Sequence, residues 1–133
     1  MKDMINNVDY QKSIKPQNVT ATTNGTGVDL QGYHGAMVVF DLGDGDFASA
    51  DEVYTPKIQE SDDDATYTDV AAADQDGTLT AADAEAEDDA IQKVGYKGTK
   101  RYIRAVMTVA GTTPSIQMSA GILRGFPRKG PVA

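Results

Sequence analysis

The sequence predicts an all-β protein, an antiparallel β-sandwich or jelly-roll-like barrel with an extended N-terminal arm and at most one short helix. Three observations carry this expectation. Runs rich in β-branched and aromatic residues follow one another at close spacing, about seven to nine of them. Clusters of Gly, Asn, Asp and Pro separate the runs, and no long stretch with a helical period intervenes. There is no internal repeat at a period of roughly 20 to 50 residues. At 133 residues the chain fits one domain, able to remove about two-thirds of its unfolded surface from water.

Residues 1–17 are polar, broken by Asn6-Asn7 and Lys15-Pro16, with only Ile5, Val8, Tyr10 and Ile14 as apolar points. Such a segment has too little to bury alone, so it is expected as an arm that orders against a neighbour. Ile5, Tyr10 and Ile14 would be its contacts, and its removal would leave residues 18–133 as a folded β domain. Val19–Thr23 and Val28–Leu30, flanking Asn24-Gly25-Thr26-Gly27, are expected to pair as a first hairpin. Gly35–Leu42 is nearly continuously apolar, the pattern of a strand lying centrally in a sandwich or covered on both faces, and it should end at Gly43-Asp44-Gly45-Asp46.

Tyr54–Glu60 and Thr66–Val70 form another expected pair around the turn Ser61-Asp62-Asp63-Asp64, with Pro56 placing the first strand at an edge or bulge. Thr80–Glu87 has the composition for about two helical turns, Thr80 as N-cap and Asp83 three residues on, although its apolar positions are only alanines. Ile91–Tyr96 is a further strand. Lys100–Arg124 then gives the clearest alternation of the chain: Ile103, Ala105, Met107 and Val109 share one face, as do Ile116, Met118, Ala120 and Ile122, and Gly111-Thr112-Thr113-Pro114 lies between. The two runs read as a hairpin. The chain closes on Gly125-Phe126-Pro127-Arg128-Lys129-Gly130-Pro131, too rich in Gly and Pro for a regular element.

The net charge of −8 conceals an uneven distribution. Residues 1–40 are neutral, residues 41–89 carry one basic and seventeen acidic side chains, and residues 90–133 carry eight basic and no acidic ones. Either the two charged segments neutralise each other within one domain, or the basic segment meets an acidic surface of another subunit. Nucleic acid is disfavoured as a partner, because the net charge repels phosphate and the basic segment offers few stacking rings. With no cysteine there is no disulfide framework or thiolate metal site. No apolar run approaches the roughly 20 residues of a membrane helix, and no apolar segment follows Lys2 as in a secretory signal, so a protein made in the cytoplasm is expected.

Catalytic and cofactor motifs fail on inspection. Asp74-Gln75-Asp76-Gly77 resembles part of a calcium loop, but Ala72 and Asp83 stand at the first and last ligand positions of that pattern. His34 is the only histidine, and no G-x-S-x-G elbow, G-x-G-x-x-G or P-loop occurs. Carboxylates are abundant, yet they cluster in polar loops that supply none of the burial a catalytic acid needs. No enzyme, metal or cofactor is expected.

Three stretches carry a resemblance in combination: Lys57–Asp63 leading to Thr66–Val70, Val94–Val106, and Gly125–Arg128. Together they resemble small structural proteins encoded in the head gene cluster of tailed bacteriophages and prophages, beside the major capsid protein. The likeness spans roughly residues 35 to 128, with longer acidic insertions at residues 44–52 and 74–90. It implies a virion component on the capsid surface, a head decoration or cement protein that binds the major capsid protein, often as a trimer. In that setting Arg101, Arg104, Arg124, Arg128 and Lys129 would face capsid or neighbouring subunits, since guanidinium pairs with carboxylates in fixed geometry. Two other classes stay open, a head-to-tail connector or tail component of the same virion, and a carbohydrate-binding or host-attachment module stacking on some of the six tyrosines.

Overall fold

The computed structural model describes residues 3–129. Two antiparallel sheets pack face to face as an all-β sandwich. The ten strands in chain order are β1 (Val8–Val19), β2 (Thr23–Asn24), β3 (Val28–Asp29), β4 (Tyr33–Gly45), β5 (Val53–Ser61), β6 (Thr68–Asp69), β7 (Gln75–Asp76), β8 (Ile91–Tyr96), β9 (Tyr102–Ala110) and β10 (Ile116–Pro127). The first sheet has the order β1-β10-β4-β8-β7 and the second β2-β9-β5-β6, with β3 also on β9. Among the described residues the only helical turns are single 3₁₀ turns at Ala72–Asp74 and Glu85–Glu87. No helix there is long and apolar enough to cross a membrane.

The core is the interlayer space, filled by alternate residues of the long strands. Val38, Phe40 and Leu42 of β4, Ile58 of β5, Ile103, Ala105 and Met107 of β9, and Ile116, Met118, Ala120 and Ile122 of β10 are all buried. The alternation read in the sequence is therefore the alternation seen. At each end a tyrosine closes the sandwich. Tyr96 of β8 donates its hydroxyl to Glu60 Oε2 of β5 at 2.6 Å and accepts the Lys100 N–H at 2.9 Å. At the other end Tyr54 Oη accepts the Ser115 N–H at 2.9 Å and donates to the Asp46 carbonyl at 2.7 Å. Burial, together with the neighbouring Glu60 carboxylate, holds the Tyr96 phenol well above its ordinary pKa, so it remains a donor.

Several expectations are corrected. β9 and β10 do not pair: β9 lies between β2 and β5 in one sheet, β10 between β1 and β4 in the other. The Gly111–Ser115 connection climbs from one layer to the next. Both strands need an apolar face for the same core, so their alternation is identical to that of a hairpin and cannot reveal which strand is the hydrogen-bonding neighbour. Likewise β2 and β3 do not pair with each other but follow one another along β9, Thr23 opposite Met107 and Val28 opposite Ile103.

The N-terminal segment is a strand and not an arm. β1 runs along β10 from Val8 opposite Gly125 to Val19 opposite Ile116, so a boundary at residue 17 falls inside it. Ile14 and Val19 are each 2% exposed. Ser13, also buried, accepts the Ala105 N–H at 2.9 Å and donates to the Thr26 carbonyl at 2.8 Å, tying β1 to the opposite sheet. The sparse apolar residues misled because β1 buries only two of its twelve side chains in the core and satisfies its backbone through β10. Its register shifts between Ile14 and Gln17, and Pro16 sits in that irregularity.

Pro56 lies opposite Met107, and flanking Tyr54 and Ile58 direct their backbone groups away from β9 toward Ala82 and Val70. The missing N–H therefore falls on the side that β9 does not use. The helix expected at Thr80–Glu87 is replaced by an isolated bridge of Ala82 to Tyr54 and the 3₁₀ turn at Glu85–Glu87. Ala82 is fully buried, and its two backbone bonds to Tyr54, 2.9 and 2.8 Å, hold the segment extended along β5.

Candidate functional surface

The outer face of the five-stranded sheet is built from the residues that alternate with the core. Pairing across β1, β10, β4 and β8 sets Val8 beside Gly125 and Gly35, then Tyr10 beside Leu123, Met37 and Gly95, then Lys12 beside Gly121, Val39 and Lys93. Apolar side chains thus stand in adjacent rows, and glycines between them keep the surface low. The Tyr10 ring lies over Gly121, where a Cβ would come within 2.0 Å of it. The Phe126 ring lies over Gly35, whose Cβ would meet it at 2.8 Å. A left-handed backbone at Phe126, φ 51°, interrupts the alternation of β10 and turns this ring outward. Phe126 is 77% exposed and Tyr10 53%, and at the same corner Met4 and Ile5 are 66% and 77% exposed. A shallow depression of about 270 Å³ lies on the β8 side of the patch, bordered by Val8, Met37, Leu123 and Phe126 and, across it, by Asp76 and Lys97. Contiguous apolar surface of this kind characterises interaction sites.

Of the arm residues expected at an interface, Ile5 and Tyr10 are on this patch or its margin, whereas Ile14 belongs to the core and is closed to a partner. The arginines are arranged differently from expectation. Arg101 grips Asp29 with two bonds, Nε to Oδ1 at 2.9 Å and Nη2 to Oδ2 at 2.8 Å. Arg104 donates twice to Gln59 Oε1, at 2.9 and 2.7 Å, and its guanidinium stands 4.1 Å from the Tyr67 ring centre. Arg124 bonds Asp9, donates to the Asp29 carbonyl at 2.8 Å, and stands 4.5 Å from the ring centre of Tyr33. These three are held by their own chain. The Arg124 guanidinium keeps the Asp9 carboxyl, and that of Arg101 the Asp29 carboxyl, below the usual carboxylate range. Arg128 and Lys129 are exposed and make no side-chain hydrogen bond or ion pair among the described residues.

Apart from Tyr10, the tyrosines serve the fold. Tyr54 and Tyr96 close the sandwich ends, Tyr33 and Tyr67 each carry an arginine on the ring, and Arg101 lies 5.1 Å from the centre of Tyr102. Among the described residues no group of three or more His, Asp or Glu side chains is arranged to hold a metal ion. Asp76, from the calcium-like stretch, lies in β7 opposite Gly95, with Gly77 at φ 107° turning the chain after it. His34 is exposed on β4.

The sequence reading missed Met37, Val39 and Leu123 as surface residues. The available signal was in Ala36–Phe40, whose apolar character at odd as well as even positions exceeds what one buried face requires. Comparison with known protein families, with curated proteins and with solved structures found no match to this chain.

Proposed function

We propose that the protein is a non-enzymatic virion component of a tailed phage, a head decoration protein that seats the outer face of its five-stranded sheet on the capsid lattice. The observation that carries the reading is the apolar patch formed by Tyr10, Met37, Leu123 and Phe126, which no strand among the described residues covers. The resemblance of residues 35–128 to head-cluster proteins supplies the partner, the major capsid protein, and favours a trimer on the capsid surface. Lattice binding suits such a patch, because many copies of a modest apolar contact stabilise a shell by mass action without any single strong site.

The test is cosedimentation of the purified protein with particles lacking it, followed by quantitation of copies per particle. Stoichiometry that follows the capsid protein lattice is expected, and Phe126→Ser together with Tyr10→Ser should lower occupancy at least roughly tenfold while the thermal melt stays cooperative. A stoichiometry of one small ring per particle would reassign the protein to a connector. Undiminished occupancy of the double variant would remove the sheet face from the contact.

A further inference from the structure

The second cleft of interest lies at the end of the sandwich closed by Tyr96. The turn between β3 and β4, the first residues of β4, the connection from β8 to β9, and Arg128 beyond β10 converge there around about 450 Å³. That volume is in the range of small-ligand sites. Three cations, Lys100, Arg101 and Arg128, are among its lining residues, and no carboxylate is.

Two of these cations are anchored from outside the cleft. Lys100 Nζ reaches Asp62 Oδ2 at 2.6 Å, and Arg101 spends Nε and Nη2 on Asp29. Each pair fixes the position of a charged head while leaving donors unspent, the remaining ammonium hydrogens of Lys100 and the Nη1 group of Arg101. Arg128 is held through its backbone, its N–H donating to the Gly32 carbonyl at 2.8 Å, and among the described residues its guanidinium fork has no partner. Glu60, on the neighbouring β5, is occupied by the Tyr96 hydroxyl. Gly32, at φ 91°, has nothing within 4 Å of where a Cβ would stand, so the mouth of the cleft is open.

From this geometry we infer that the cleft binds a carboxylate-bearing peptide segment of another protein, with Arg128 making the first charge-assisted contact and Lys100 and Arg101 completing it. A planar fork beside fixed donors is the arrangement that recognises carboxylates. An acidic sugar fits less well: one face of Tyr33 carries Arg124 and Tyr96 is only 9% exposed, so neither ring offers a stacking platform. The cleft adjoins the apolar sheet face, Gly35, Ala36 and Tyr96 lining both, and the inference stands whether or not that face meets a capsid.

The full-length protein is titrated into fluorescein-labelled hexaglutamate and followed by anisotropy, at low ionic strength and again at about 0.3 M salt. Because the chain carries −8 overall, indiscriminate binding of a polyanion is opposed, and saturable binding reports a local site. Binding that weakens with salt is expected, and Arg128→Glu combined with His34→Glu should weaken it at least roughly tenfold with an unchanged melt, since both side chains are exposed. Absence of saturable binding by the wild-type protein overturns the inference, as does binding that the double variant leaves intact. Competition by glucuronate or by inorganic phosphate at concentrations equal to that of hexaglutamate also overturns it, by assigning the site to a sugar or to any small anion.

Discussion

Arg124 makes three kinds of contact with its own chain, an ion pair to Asp9, a hydrogen bond to the Asp29 carbonyl and a stack on Tyr33, and each of them joins strands far apart in sequence. The aspartates that receive such bonds set the acid sensitivity of the fold. Arg124 lowers the Asp9 carboxyl pKa, Arg101 lowers that of Asp29, and Gln59 followed by Lys57 lowers that of Asp69. Folding lowers these values, so the stability they contribute is fully present above the ordinary aspartate value of about 3.9 and is lost as pH falls through the folded ones. The melting temperature should therefore drop as the pH is lowered below about 4, and Asp29→Asn should flatten that dependence while lowering the melt modestly at neutral pH. Glu52 stands apart, inside the fold. It is 1% exposed, its Oε1 accepts only the Ser49 N–H at 3.2 Å, and its Oε2 is buried without a partner. Glu52→Gln keeps the shape and the acceptor but removes a poorly solvated charge, and a urea titration should show a gain of about 1 kcal/mol.

At the scale of elements, β1 is the informative strand. Its polar composition suggested a dispensable extension, yet it covers one edge of β10 over its length and places Ile14 and Val19 in the core. Deleting residues 1–19 should abolish the cooperative thermal transition, whereas deleting the first six should preserve it. Ile14→Ala should cost about 2–5 kcal/mol in chemical denaturation, the range for removing a buried aliphatic side chain. A truncated protein with an intact melt would restore the view of this segment as an arm. The same strand shows where sequence legibility ends. Ile103–Val109 and Ile116–Ile122 displayed their core faces in the primary structure because period-two alternation reports burial directly. Which strands they bond to was invisible, because hydrogen-bond partners are chosen by backbone geometry that leaves no mark on side-chain order.

Over the whole molecule the charges divide into two poles. The four ion pairs among the described residues use Asp9, Asp29, Asp62 and Asp69. The acidic loops at the other end, residues 44–52 and 83–89, contribute to none of them. Three of these pairs join Lys100, Arg101 and Arg124 of the basic segment to acids of the β5–β6 turn, β3 and β1, while the acidic loops, joined by the Gly45 N–H on Asp88, repel one another across a short distance. Added salt screens that repulsion and also weakens the ion pairs, but exposed pairs contribute little. The repulsion dominates, and raising salt from low ionic strength to about 0.5 M should raise the melting temperature. A fall would show that the ion pairs dominate.

The sequence by itself determined the all-β class, the central position of Gly35–Leu42, the core faces of the last two long strands, and the charge asymmetry. These are properties of composition and local period, which follow from the solvent each side chain must face. The tertiary structure alone decided that β9 and β10 lie in different sheets, that the N-terminal segment completes one of them, and that Arg101, Arg104 and Arg124 turn toward their own chain. It also assembled the apolar face from β1, β4 and β10. Those outcomes depend on which residues meet across 70 or more positions of chain, as Asp29 and Arg101 do, and such a meeting is fixed by packing two twisted sheets, not by any neighbour in sequence.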